Sequence, residues 1–204
     1  DIDLPTELGP DDVKIKMHTV GICGSDIHYY EHGKIGQWKV NEPMVLGHEG
    51  SGTVIDVGKN EKILKIGDRV CIEPQVVSKK TKEYKLGIYN YDQKVKFWAT
   101  PPIHGCLTPE VVFPGDMVFK IPDSLSYAEG AMVEPLAVGM QGVTKAQIKP
   151  GQIGLVMGCG PIGLVTALAA LAGGCSKVYI ADILREKLKI CEHYSGLVAV
   201  DLSK

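Results

Sequence analysis

A chain of 204 residues is long enough for one large domain or two small ones with a real core. Its 22 Lys and Arg against 24 Asp and Glu give a net charge of -2, which leaves no basic patch for nucleic acid. The six cysteines, at 23, 71, 106, 159, 175 and 191, form no CxxC pair and no dense framework, which suits reduced thiols in a cytoplasmic protein better than a secreted disulfide scaffold.

The opening DIDLPTELGP has neither an initiator methionine nor an apolar signal segment, so the expectation is a processed start or one lying upstream. The first part is β-rich: DDVKIKMHTVGIC, GSGTVIDVG and GDRVCIEP are runs rich in Val and Ile, bounded by Gly, Asp and Pro. In PMVLGHEGSGTVIDVG, His48 and Glu49 stand at a bend between glycines, with an apolar, strand-like flank on each side. One reading is a solvated polar turn; the other is a bend that aims two metal-binding side chains at one point. Residues 75–110 are polar, basic and aromatic and read as a surface lobe.

From Ser126 helical spacing sets in, with Ser126 as N-cap and Glu129 three residues on. The domain boundary is expected in this helical stretch, near Gly139 to Gln147, giving domains 1–140 and 141–204. Residues 150–176 carry no charge, which invites a membrane helix. Glycines and Pro161 interrupt the first half, however, and a strand-like KVYIAD follows, so the segment reads as strand, tight turn and buried helix. From Gly154 the order is strand, helix, strand, helix, the pattern of a parallel α/β unit. There is no internal repeat and no low-complexity linker.

LVMGCGPIGLVTALAALA places Gly158, Gly160 and Gly163 in a G-x-G-x-x-G pattern between a strand and a helix. The next strand ends in Asp182, 19 residues after Gly163, where a dinucleotide fingerprint has an acid for the ribose 2′-hydroxyl. Such glycines let backbone approach a pyrophosphate at a helix N-terminus. The alternative is glycine used only for helix–strand packing. A carboxylate at 182 repels a 2′-phosphate, which favours NAD over NADP, although Arg185 and Lys187 lie close behind.

Zinc takes thiolate, imidazole or carboxylate ligands, and a catalytic site keeps one position open. Cys23, in GICGSDIHYY, sits between glycines as His48 and Glu49 do, and a thiolate with a carboxylate balances the two charges of zinc. Glu134, in MVEPLAV, is an acid in an apolar run, and an isolated buried carboxylate is costly unless paired or functional. Taken singly, Cys23 also reads as a small core residue and Glu134 as a salt-bridged helix residue.

Together GICGSDIHYYEHGKIG, PMVLGHEGSGTVIDVG, KIGDRVCIEP, KFWATPP, EGAMVEPLAVG and GCGPIGLVT closely resemble the zinc-dependent medium-chain dehydrogenases, and more narrowly their polyol branch of sorbitol, xylitol and L-arabinitol dehydrogenases. The resemblance runs over nearly the whole chain. It implies a GroES-like β-rich catalytic domain followed by a truncated Rossmann domain, an NAD-dependent oxidation of a polyol to a ketose, and a homotetramer. It makes Cys23, His48 and Glu49 the catalytic zinc ligands, with Glu134 holding the zinc water or entering the coordination sphere. Ser25 would relay the alcohol proton, His28 would pass it towards solvent, and Asp26 would stand behind the ligands. Tyr29, Phe97 and Thr100 match the polyol pocket; Pro161, Ile162, Asp182 and Lys187, with the three glycines, match the cofactor site.

Two departures stand out. The chain stops at LVAVDLSK, near the middle of the Rossmann domain that family members complete, so a partial chain is expected. The lobe that holds a structural zinc in the family through four cysteines has Ser78, Thr81, Tyr84 and Asp92 in register, so one zinc is expected, the catalytic one. The rivals are another zinc dehydrogenase of this fold, acting on L-threonine, L-idonate or a simple alcohol, and a zinc-free relative that kept the fold without the chemistry.

Overall fold

Alternation along the first predicted strand decides which side of it faces inward. In β1 (Asp12–Gly21), Val13 and Ile15 are fully buried while Lys14 and Lys16 point outward. The computed structural model describes residues 2, 4 and 7–203, which fall into two compact units, Asp1–Val133 and Glu134–Lys204.

In the first unit β1 is followed by a helix, α1 (Gly24–His32), and a short hairpin of β2 (Lys34–Ile35) and β3 (Trp38–Lys39). Next come β4 (Glu49–Val57) and β5 (Arg69–Ile72), then a lobe containing β6 (Gln75–Val76), α2 (Lys82–Lys85) and β7 (Lys96–Phe97). The unit closes with β8 (Glu110–Pro114), β9 (Val118–Lys120) and α3 (Tyr127–Ala131). Five strands pair antiparallel in the order β8-β1-β4-β5-β9. Val13, Ile15, Val54 and Val70 meet in one fully buried cluster, roofed by Trp98 and Phe113 with ring centroids 4.2 Å apart. Each such aliphatic side chain contributes about 1.5–3 kcal/mol on burial.

Two expectations are corrected here. The flank before His48 is not a strand: the Val45 N–H donates to His104 Nδ1, and the Val45 and Leu46 carbonyls accept from Gly105 and Leu107. Its polar groups are satisfied by the 104–107 loop, so it needs no sheet partner. The helical stretch from Ser126 is broken at Met132 into α3 and α4 (Val133–Ala146). Its start is as expected, since the Ser126 and Glu129 side chains form a reciprocal capping box. Tyr127 then pins α3 to the sheet. Its ring stacks on His18 at 4.1 Å and carries the Arg69 guanidinium at 4.6 Å, and its hydroxyl bonds Thr53 at 2.7 Å.

The second unit, which includes most of α4, continues with β10 (Ile153–Met157), α5 (Pro161–Ala172), β11 (Lys177–Asp182), α6 (Arg185–Leu188) and β12 (Leu197–Asp201). The three strands are parallel, in the order β10-β11-β12. The uncharged stretch 150–176 is therefore a strand, a turn and a helix, as read, and among the described residues no helix is long and apolar enough to cross a membrane. Ala167, Val178 and Ile180 are fully buried between α5 and the sheet.

Candidate active site

The bend at residues 47–49 aims inward. Gly47 holds φ at +86°, a left-handed backbone that a Cβ disfavours, and this turn carries His48 to the threshold of β4, with Glu49 as the first residue of that strand. His48 and Glu49 are buried at 6% and 8% exposure, so the solvated-turn reading fails. Opposite Glu49 in the ladder stands Gly21, and a Cβ there would lie 2.2 Å from Glu49 Oε2. Gly21 is the space in which the carboxylate sits. Sequence reasoning missed this residue, although its place just before Cys23 was the available signal.

Cys23 is the N-cap of α1. That helix was not anticipated, yet an acid three residues after its N-cap and Gly33 at its C-terminus are both recognisable boundary signals. Asp26, only 2% exposed, joins the two segments: Oδ2 accepts the Cys23 N–H at 2.9 Å and Oδ1 accepts the Gly47 N–H at 2.8 Å. His48 Nδ1 lies 3.9 Å from the same Oδ1. One buried carboxylate thus sets the separation between the cysteine and the histidine.

The result is a cluster of three ligand types. The Cys23 sulfur, a His48 ring nitrogen and a Glu49 oxygen all lie within 4.8 Å of one another, the one such group found among the described residues. A hydrogen bond with His48 is the main influence lowering the Cys23 thiol below its ordinary range, assisted by Ser25 and opposed by burial. Burial pushes the Glu49 carboxyl up, against the opposing pull of His48 and Cys23. A thiol, an imidazole and a carboxylate this close, with a total charge that offsets a divalent cation, fit zinc with a position left open.

The other expected residues distribute as follows. Ser25 is half-buried and its hydroxyl interacts with the Cys23 thiol. Phe97 packs edge-on against His48, with centroids 5.5 Å apart. Tyr29 is buried and faces Thr100; burial raises its phenol above the usual value. His28 is exposed, and its nearest aromatic neighbour is His32 at 5.6 Å. Glu134 stands partly buried in the first turn of α4, in the second unit.

In the lobe, Thr81 caps α2: its hydroxyl accepts the Tyr84 N–H and donates to the Ser78 carbonyl at 3.1 Å. Asp92 is buried and accepts the Lys94 N–H at 2.9 Å. Hydrogen bonds thus connect three of the four positions where the family's pattern has cysteines.

In the second unit the glycine loop has the form that its spacing predicted. Gly158 adopts φ +99°, and a Cβ on Gly163 would lie 1.9 Å from the Gly158 carbonyl oxygen, so α5 packs on the loop only because residue 163 is glycine. Pro161 opens α5 after Gly160, and Ile162 is exposed beside it. Asp182 ends β11; its Oδ2 accepts the Cys159 N–H and its Oδ1 the Leu184 N–H, each at 2.8 Å. These two bonds, Leu184 first, hold its carboxyl below the usual range. Lys187 is exposed nearby, whereas Arg185 is paired with Asp201.

A half-buried thiol beside a buried imidazole and carboxylate on a β-rich unit, followed by a parallel unit with a nucleotide-type glycine loop, combines the parts of a metal site and a nucleotide site in one chain. Residues 9–123 match the alcohol dehydrogenase GroES-like domain. D-xylulose reductase of Morganella morganii is 61% identical over 194 residues, covering 95% of this chain and 57% of its own length. Sorbitol dehydrogenase of Rattus norvegicus is 46% identical over 198 residues, covering 97% and 56%. The crystal structure of an Escherichia coli oxidoreductase of unknown specificity superposes with a TM-score of 0.91 at 37% identity, covering 99% of this chain and 58% of that one. The chain belongs to the zinc-dependent medium-chain dehydrogenase family, on its polyol branch, and spans rather more than half the length of these relatives.

Proposed function

We propose that the intact protein oxidises a polyol to a ketose with NAD, at a single zinc held by Cys23, His48 and Glu49. The observation that carries this reading is the convergence of those three ligand atoms within 4.8 Å in a buried site braced by Asp26. A zinc ion there supplies Lewis acidity at the alcohol oxygen, and NAD supplies the hydride acceptor. The chain's own residues hold and orient the reactants. Ser25, beside the thiol, takes the alcohol proton and His28, at the surface, passes it to solvent. Tyr29, Phe97 and Thr100 would wall the polyol, and the resemblance would make Glu134 a further oxygen ligand or the residue that holds the zinc water. Asp182 accepts from the ribose hydroxyls while Arg185, engaged with Asp201, is not available for a 2′-phosphate, which supports NAD over NADP. The relatives named D-xylulose reductase and sorbitol dehydrogenase support a polyol substrate.

The test is Cys23→Ser in the intact protein, with zinc measured by elemental analysis alongside initial rates on sorbitol, xylitol and L-arabinitol with NAD and NADP. Zinc and turnover are expected to disappear together. Turnover retained without zinc would refute the reading.

A further inference from the structure

Two cysteines that the proposed chemistry does not use lie side by side in the second unit. Cys159 is the residue between Gly158 and Gly160, and Cys191 belongs to the 3-10 turn Lys189–His193 that follows α6. Both are buried, at 5% and 4% exposure, and their sulfurs are 4.0 Å apart although 32 residues separate them in sequence. A disulfide has its sulfurs about 2.05 Å apart, so closure needs an approach of roughly 2 Å. The pair is thus close to bonding distance without being bonded.

What Cys159 is tied to makes that closure consequential. Its N–H donates to Asp182 Oδ2 at 2.8 Å, and its thiol donates to the Lys187 carbonyl at 3.3 Å. Drawing the sulfur towards Cys191 gives up the bond to Lys187 and pulls on the peptide that fixes Asp182. The glycine loop and the acid at the end of β11 are then displaced together.

We propose that Cys159 and Cys191 form a reversible disulfide under peroxide, and that this bond weakens dinucleotide binding; the second half rests on the nucleotide site proposed above. One sulfur attacks the peroxide, breaking its O–O bond, to give a sulfenic acid and one water. The other thiol displaces a second water from that sulfur and forms the S–S bond. In balance, two thiols lose two electrons and two protons, and one peroxide becomes two waters. A dithiol reductant reverses the bond. Burial, with Cys191 alongside, pushes the Cys159 thiol up to about 11, so the reaction is slow at neutral pH and speeds up as pH rises.

The experiment treats the intact, zinc-loaded protein with hydrogen peroxide and follows two readouts. Non-reducing digestion and mass spectrometry look for a Cys159–Cys191 peptide pair about 2 Da lighter than its reduced parts. Titration with NAD gives the dissociation constant before oxidation, after it, and after dithiothreitol. The expected result is the cross-linked pair and a dissociation constant raised at least about tenfold, since a displacement of about 1 Å is costly at such a site, both reversed by reductant. Cys191→Ser is expected to show neither effect and to bind NAD normally; Cys191→Ala replaces it if the buried hydroxyl impairs folding. No cross-linked pair, or a pair with unchanged NAD affinity, overturns the proposal. Loss of binding that persists in both Cys191 variants also overturns it, by placing the sensitive group elsewhere. A reduced protein that does not bind NAD would instead defeat the nucleotide reading, and the peptide map would still judge the disulfide.

Discussion

Replacing Asp26 by asparagine keeps the shape of the side chain and removes its charge and one acceptor. The carboxylate is 2% exposed and accepts two backbone N–H groups, from Cys23 at 2.9 Å and Gly47 at 2.8 Å. An amide can satisfy one of them; the other then faces an NH2 group, two donors opposed in a buried place. A hydrogen bond to a charged group is worth about 1.5–3 kcal/mol, and a buried donor left unsatisfied costs a similar amount. Asp26→Asn should therefore destabilise the first unit by about 2–3 kcal/mol, or about 4–12 °C in Tm at about 2–4 °C per kcal/mol. It should also loosen the spacing between Cys23 and His48 and weaken zinc affinity by about 10–100-fold, as losses behind metal ligands do. Thermal unfolding with and without a chelator separates the two effects, because the hydrogen bonds belong to the fold and their loss should appear in the chelated protein too. An unchanged Tm in chelator, together with unchanged zinc affinity, would refute the assignment of Asp26 as the brace.

Gly163→Ala should lower Tm by several degrees and weaken NAD binding, because its Cβ would meet the Gly158 oxygen at 1.9 Å; wild-type NAD affinity would show that the loop tolerates the shift. Asp182→Ala should narrow the ratio of catalytic efficiencies for NAD over NADP, and an unchanged ratio would show that the acid does not face the ribose. Glu61 is held below the ordinary carboxyl range mainly by accepting the Leu64 N–H, with Ile63 and Lys62 adding to it, so its stabilisation is present above its unfolded value of about 4.3 and is lost as pH falls through the folded one. Glu61→Gln should then lower Tm at pH 7, with the gap to wild type closing as pH falls below the unfolded value; a gap that stays constant as the pH is lowered would contradict the assignment. Elemental analysis of the intact protein should give one zinc per chain, and cysteines at 78, 81, 84 and 92 together should add a second and raise Tm; two zincs in the unmodified protein would refute the single-site reading.

Local signals carried the parts of this molecule that were legible in advance. The glycine loop, Asp182 and the Ser126–Glu129 cap each depend on residues a few positions apart, or on a spacing fixed by one strand and one helix, so the sequence displays them directly. The His48–Glu49 bend was legible as a bend because of Gly47, but its inward direction was not, since that depends on β4 pairing with β1 and on the room left by Gly21. The PMVL flank was misread because apolar residues suit a strand and a loop-bound extended segment equally, and only the distant 104–107 stretch decides between them. The helix α1 was missed because its apolar and polar residues are mixed around all sides, leaving only its end signals. Tyr127 lying between His18 and Arg69, and Cys159 beside Cys191, are meetings of residues far apart in sequence and have no local signature.

Cys23 has two duties: it is the proposed metal ligand and it is the residue from which α1 starts. A nine-residue helix has little cooperative stability of its own, and its first turn depends on what anchors it. Loss of the ion would leave the Asp26 carboxylate as the remaining anchor at the Cys23 N–H, so chelation is expected to loosen the first turn without unfolding it. The residues of that turn include Ser25, and Tyr29 follows one turn later, so the proposed proton path and a proposed wall of the polyol pocket would slacken at the same moment. Amide hydrogen exchange at Asp26 and Ile27, whose N–H groups bond the Cys23 carbonyl, would then act as an occupancy gauge for the metal.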